Sequence, residues 1–403
     1  MRRQGFSSLL MLPVLMALTL LLLGLMLRQQ ELRQSWYQQN IADNMASSAA
    51  TLLARELNLL ALTNRALLAN ELSSAQVVGI ASWFQMMKDV ADRSALASSW
   101  IPYLNAITRN IANVVQRIEQ PFNQILRGVL YFQRLVTTAL RATQWYARVS
   151  FALEIPKTVA QVLAQHEVEN KDGEQLSFQL LHAPGLVPVP WLWWTFIPAQ
   201  RSGGDDGLSH AMMLASLDPF SKSRSYEWFE AMQIEVEKAG GARLHSDANG
   251  LWSWQGMDTV SIHVRGLLDS DEYPWGDGAS YFGEEIDKVL NKDFGGTRKI
   301  NPAATQWGTA DQFEFNLTSQ AFSYFNRTTL APADWPSVIV VLPRAIAKAG
   351  VIYSRPRRWF PRADGKDEQA SLFNALWQSE LQGLSQTERL LLTAKVGQDD
   401  ASN

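Results

Sequence analysis

The sequence predicts an α+β protein with a single N-terminal transmembrane helix, a long helical hairpin forming a stalk, and a mixed β-rich domain beyond the membrane. Three observations predict it. Residues 9–27 are apolar and carry no charge; at about 1.5 Å of rise per residue, such a helix matches a hydrocarbon core of about 30 Å. From there to residue 165 apolar side chains recur at three- and four-residue steps, the spacing of one helix face. After residue 166 proline, glycine and tryptophan become common and apolar residues alternate, as in half-buried strands. The expected units are a short cytoplasmic head at 1–8, the membrane helix at 9–27, the stalk at 28–165, the β-rich extracytoplasmic domain at 166–390 and a flexible tail at 391–403.

Arg2 and Arg3 precede the apolar run, and Arg28 and Arg33 follow it. The two flanks are nearly balanced, so the positive-inside rule decides little. The short head decides more: the economical topology keeps it in the cytoplasm and puts everything after Leu27 outside. A cleaved secretory signal is the rival reading. Its apolar region is usually about 7–15 residues and ends at a small-x-small site. This run is longer, and no such site occurs before residues 42–50, which favours a retained anchor.

The chain has 403 residues, enough for two or three units with a sizeable core. A formal net charge of −3 gives no basic field for nucleic acid. Cysteine is absent, which excludes disulfides, thiolate metal sites and cysteine nucleophiles. The 15 tryptophans cluster after residue 190, where aromatic surface can build a β-rich core or an interface.

In the stalk, Leu53, Leu57, Leu60, Asn64, Leu67 and Glu71 form an amphipathic stripe. Pro102 ends this first helix. Beyond it Ile111, Val114, Ile118, Ile125, Val129, Phe132 and Val136 repeat at about 3.5-residue spacing, with Pro121 expected to kink or divide the helix. Pro156 then starts a short third helix at 157–165. The two faces bury each other, or part of one packs on a partner helix.

A polar stretch at 167–174 marks the boundary of the β-rich part. Strands are expected at 176–180, 242–246, 251–254, 259–264, 313–317, 337–342 and 347–353, with turns at 183–185, 247–250 and 255–256. Residues 187–194 hold prolines and cannot form a central strand. Residues 201–207 and 269–278 are expected as loops. Residues 226–239 read as a helix stopped by Gly240 and Gly241. Residues 372–384 read as a helix or extended arm.

No nucleophile elbow, phosphate loop, dinucleotide fingerprint or zinc-protease motif occurs. The histidines stand singly, so no catalytic residue, metal ligand or cofactor is expected. Asp269, Asp271, Glu272 and Asp277 are oxygen ligands of the type calcium uses, but Tyr273 and Pro274 break the EF-hand template. Arg355, Arg357, Arg358 and Arg362 surround Trp359 and Phe360. They read as an exposed loop or as a contact for anionic headgroups or an acidic partner. Asn316 and Asn326 head two sequons.

The leader, Arg2-Arg3 followed by Gly5-Phe6 and the apolar helix, resembles a type IV prepilin leader, in which a peptidase cuts after the glycine. Leu10 stands where that family carries Glu. A plain signal anchor is the other reading. Three further stretches resemble the TadE/TadG-like proteins of tight-adherence (Flp) pilus assembly. The first is the arginine-flanked anchor followed by NMASSAA at 44–50. The second is ARELNLLALTNRALLAN at 54–70. The third comprises AKAGVIY at 347–353, Arg355-Pro356, then LFNALW at 372–377 with Leu381; Ala375 stands where proline is usual. Trp252, Trp254, Asp258 and Trp275-Gly276 add a weaker match. The resemblance implies a bacterial inner-membrane protein with a periplasmic body, non-enzymatic, acting in pilus assembly or a related secretion apparatus. Its expected partners are the inner membrane, other assembly proteins and, through the stalk, further copies of the chain. Arg55, Asn58, Asn64, Arg65 and Asn70 are the expected helix-packing motif; buried amides fix register against a neighbouring helix. The alternative is a membrane-anchored periplasmic ligand-binding protein or enzyme.

Overall fold

The computed structural model describes residues 6–97, 102–169, 176–183, 187–188, 225–231, 234–246, 252–265, 270–281, 305–306, 335–354, 370, 372 and 374–399. The protein is α+β, with a long N-terminal helix and a β-rich C-terminal region.

Helix α1 (Phe6–Ala97) is unbroken over 92 residues, and α2 (Pro102–Glu169) over 68. At about 1.5 Å per residue α1 is on the order of 140 Å long. The two run antiparallel. Tyr37 Oη donates to the His166 carbonyl at 2.9 Å, Asn70 Nδ2 to the Gln133 carbonyl at 2.8 Å, and Lys88 meets Glu119 at 2.7 Å. The expected divisions at Pro121 and Pro156 do not occur, and residues 157–165 are part of α2, which ends at Glu169. A proline removes one hydrogen bond and crowds the preceding turn. Here packing on α1 holds the helix together around both: Phe122 stacks on Phe84 at 4.3 Å, and Ile155 and Val159 are fully buried.

Among the described residues ten strands form two sheets. The first comprises β1 (Gln179–Ala183), β2 (Val187–Pro188), β8 (Ser337–Leu342), β9 (Ala345–Tyr353) and β10 (Trp377–Gln382), in the order β10-β9-β8-β1-β2. Proline-bearing β2 lies at its edge, as a strand lacking donors must. The second comprises β3 (Tyr226–Ala231), β4 (Ile234–Ser246), β5 (Trp252–Arg265), β6 (Ser270–Tyr281) and β7 (Thr305–Gln306), in sequence order. Among the described strands only β6 and β7 pair in parallel.

Several expectations are corrected in this region. The described residues of 226–239 are not a helix: 226–231 form β3 and 234–239 the first part of β4. Ile234 and Val236 are spaced by two, the period of a strand, and Ile and Val favour one. Gly240 and Gly241 stop nothing; they lie inside β4. Residues 255–256 lie inside β5, and the expected acidic loop is largely β6. Of the helix or extended arm expected at 372–384, the structure has the extended form, with β10 at its centre. The tail expected to be flexible from 391 is helical through Asp399, in α3 (Gln386–Asp399). Its start carries a capping box: Ser385 N–H donates to Glu388 Oε2 at 2.7 Å, and Glu388 N–H to Ser385 Oγ at 3.2 Å. Residues 201–207, 247–250 and 313–317, with Asn316 and Asn326, lie outside the described residues.

The first sheet is covered on both faces. Val338, Val340, Ala347 and Ala349 face the hairpin, in one core with Ile41, Met45, Ala46 and Leu53 of α1 and Ile155 of α2. Leu181 and Ile339 face Leu392 of α3. The second sheet lays Val260 and Trp275 on Met86 of α1.

Candidate functional site

Two regions of α1 stand out. The first is the apolar span. From Met11 to Leu27 every large hydrophobic side chain is exposed, from 50% at Leu22 to 71% at Leu12. The helix is long and apolar enough there to cross a membrane. Fourteen residues after Leu27 the same helix is in the protein core, with Ile41, Ala42 and Met45 fully buried. Gln38 Oε1 accepts from the Arg344 N–H at 2.8 Å, Gln39 donates to the Ile346 carbonyl at 3.1 Å, and Gln34 accepts from the Arg344 guanidinium. The β8–β9 turn is thus fastened directly after the span.

The second region is a joint of side-chain amides. Asn58 Nδ2 donates to the Trp377 carbonyl at 2.9 Å, and its Oδ1 accepts from the Trp377 N–H at 3.0 Å. A side-chain amide thereby does what a neighbouring strand would do at the start of β10. Asn64, 1% exposed, donates to the Leu372 carbonyl at 2.9 Å and accepts from Gln144 Nε2 at 2.7 Å. Gln144 also reaches Thr63 Oγ1 at 2.8 Å. Arg65 reaches Asn374 Oδ1 at 3.4 Å. A turn and a half further on, Asn70 donates to the Gln133 carbonyl and to Thr137 Oγ1, both at 2.8 Å, and Ser74 donates to Gln133 Oε1 at 2.8 Å. Buried amides left unmatched cost about 1–3 kcal/mol each, so each of these bonds selects one register.

The expected packing motif is therefore split in its partners. Asn58, Asn64 and Arg65 hold the C-terminal segment 372–377, and Asn64 and Asn70 hold α2 of the same chain. Arg55 is exposed and lies outside the joint. Two stretches that carry the family resemblance, 54–70 and 372–377, are one intramolecular contact. Sequence reasoning missed Gln133 and Gln144, the α2 half of the joint. The available signal was a pair of amides three helical turns apart on the side of α2 that packs on α1.

Buried charge lies beside the joint. Glu56 is 1% exposed and neither carboxyl oxygen has a hydrogen-bond partner. Burial pushes its carboxyl up to about 8, against the lowering pull of Arg148 on α2. On the second sheet Lys238 Nζ donates to Asp258 Oδ1 at 2.6 Å, and both side chains are fully buried. Gly240, opposite Asp258 in the ladder, makes room for the pair: a Cβ there would meet Asp258 Oδ1 at 2.6 Å and Lys238 Nζ at 2.7 Å. Ser82 Oγ of α1 donates to the Asp277 carbonyl at 3.2 Å, and Arg93 lies over the Trp275 ring at 5.5 Å.

Little in the described residues suggests catalysis. Among them no group of three or more His, Asp or Glu could hold a metal ion. His166 packs on Tyr37, and His263 stands 3.7 Å from Glu237 in the second sheet. The acidic residues weighed for calcium are spread along a strand, and Asp269 lies outside the described residues. Asp271 and Asp277 lie on one face of β6, far apart along the strand, and Glu272 on the other, accepting from Ser261 Oγ at 3.0 Å. Phe6 opens α1, whereas Gly5 and the basic stretch with Arg355, Arg357, Arg358, Trp359 and Arg362 lie outside the described residues. Comparison with protein-family models, curated proteins and solved structures gives no match.

Proposed function

We propose that this chain is a non-enzymatic, single-pass membrane protein of the bacterial inner membrane, with a cytoplasmic head and a periplasmic body. Its role is structural: a component of pilus assembly, or of a related secretion apparatus, of the kind the TadE/TadG-like resemblance implies. The observation that carries the anchored reading is the course of α1. One uninterrupted helix passes from a span whose apolar side chains are all exposed into the core of the folded body. Lipid satisfies the first part and protein the second. Several of the positions that carry the resemblance lie at joints between α1 and the sheets: 54–70 with 372–377, and Trp275 where the second sheet meets the helix. The pattern is that of a rigid support rather than of a reaction site.

The cysteine-free sequence makes the topology directly testable. Single cysteines at Gln4 and Gln120 are probed with a membrane-impermeant maleimide in cells whose outer membrane has been made permeable. Gln120→Cys is expected to react in such cells and Gln4→Cys only after lysis; the opposite order overturns the topology. Loss of the gene is expected to abolish surface pili or the associated secretion, and normal levels of both would sink the assembly role. The mature N-terminus, read by mass spectrometry from native membranes, separates a fibre subunit beginning at Phe6 from a retained anchor.

A further inference from the structure

The stripe on α1 that the sequence offers to a partner is filled by the chain itself. The free stripe is on α2. Ile107, Ile111, Val114 and Ile118 precede Pro121 on it, and Ile125, Val129 and Phe132 follow; they are 38–65% exposed. Tyr146 and Leu153, at 69% and 68%, continue it fourteen and twenty-one residues after Phe132. With Pro121 counted in the seam, the steps from Ile107 to Phe132 alternate between three and four, the seam of a left-handed coiled coil, with one four-residue stutter between Ile125 and Val129. Met86 and the two sheets occupy α1 on its other sides, so the stripe borders the hairpin without being covered by it.

We propose that this stripe is the surface on which a second copy of the chain packs, α2 against α2, parallel and in register. Three features select that occupant. The stripe is uncharged. Arg109, Arg127 and Arg134 project roughly half a turn away around the helix, and Arg117 is the one charge close to the seam. An acidic partner or an anionic surface would therefore find nothing to pair with along it, whereas an equally neutral stripe would. The stutter is the second feature: it breaks the repeat at one level, and an identical chain aligned in parallel breaks it at the same level. The third is extent. Residues 107–153 span about 70 Å of helix, and two such stripes bury on the order of 1,200 Å² in total, within the range of specific interfaces. Parallel alignment also follows if both copies are anchored in one membrane, and that part of the inference rests on the anchored reading above.

The test uses the full chain in native membranes and in detergent, with single cysteines at Ile111 and Ile118 under mild oxidation. Both positions lie toward one end of the stripe, so they approach their own copies to disulfide distance only in parallel pairing. Most of each variant is expected to convert to a species of twice the mass, and Gln120→Cys, on the far side of α2, is expected to stay single. Stripe cysteines that remain monomeric overturn the proposal, as does cross-linking to a different protein or equal dimer from Gln120→Cys. The detergent arm keeps the two readings apart. Dimer there, from a chain that alkali strips from membranes, supports the stripe and sinks the anchor. An alkali-resistant chain with no dimer does the reverse.

Discussion

The two sheets hang from one helix but are attached by different chemistry. The first sheet meets α1 over a long, dry contact in which small residues face one another: Ala42, Ala46 and Ala49 on the helix, Ala345, Ala347 and Ala349 on β9. Small side chains on both surfaces let the backbones approach closely, and the amide joint then fixes where along α1 the sheet sits. The second sheet has a shorter apolar contact centred on Met86, Val260 and Trp275, and its own strands β4 and β5 are held to each other by a fully buried ion pair. Close packing fixes where a sheet sits on the helix by shape, whereas a buried pair inside a sheet fixes its strands by the cost of separating charges. The second device is more fragile, because removal of either partner strands the other in a dry site.

The largest effect is expected there. Asp258→Ala removes the ion-pair partner of the fully buried Lys238, and is expected to destabilise the second sheet by about 3–5 kcal/mol. Limited proteolysis should cut within 225–281 long before it cuts the hairpin or the first sheet. Replacing both partners together, Lys238→Met with Asp258→Leu, is expected to restore most of the loss. If the single and double variants are equally unstable, the pair is not what fastens this sheet.

Glu56 tests the opposite arrangement, a buried carboxyl on the first sheet's side with Arg148 near but no hydrogen bond to its oxygens. Its folded value of about 8 exceeds the unfolded reference of 4.5, so the native state binds the extra proton between those values. Its contribution is therefore fully present below pH 4.5 and is lost as pH rises through about 8. The shift corresponds to at most about 5 kcal/mol. Glu56→Gln is expected to flatten the pH dependence of the denaturation midpoint over this window and to be the more stable protein at pH 9. Parallel pH curves for the two would show that Glu56 is charged throughout.

Asn58→Ala should cost less, about 1–3 kcal/mol, because it leaves the Trp377 N–H and carbonyl without their partner. Hydrogen exchange is expected to accelerate at β10 while β4 and β5 stay protected. Uniform acceleration would mean that the joint is not local to the first sheet.

The contrast between the sheets also explains what could be read from the sequence. The apolar span and strands β8 and β9 were legible because absent charge and alternating apolar residues are local signals. The joint was half legible. Asn58, Asn64 and Asn70 were visible as amides on an apolar helix, but the partner of Asn58 is a backbone group 319 residues away, and a carbonyl has no sequence signature. The ion pair was not legible at all. Lys238 sits among Glu235, Glu237 and Ala239, where a charge normally means a solvated face, and only the ladder brings Asp258 beside it. The region 226–239 was misread because the helix-like density of apolar residues outweighed their step of two.

The smallest effect belongs to α3, which closes the first sheet's outer face and has no counterpart among the described residues of the second. Ser385 and Glu388 satisfy each other's backbone N–H, and Lys348 of β9 meets Glu388 at 2.8 Å. Burial pushes the Glu388 carboxyl up, but the bonds from Lys348 and Ser385 outweigh it and hold the group below its ordinary value. That contribution is present above the unfolded value and disappears as pH falls through the folded one. Ser385→Ala removes one half of the box and is expected to cost about 1 kcal/mol. The readout is local: exchange at residues 386–392 should quicken, and Leu392 should protect Ile339 less, with the amide joint on the opposite face unchanged. If the joint loosens together with α3, the two faces of the first sheet are one cooperative unit, and the position of that sheet on α1 depends on a cap at the far end of the chain.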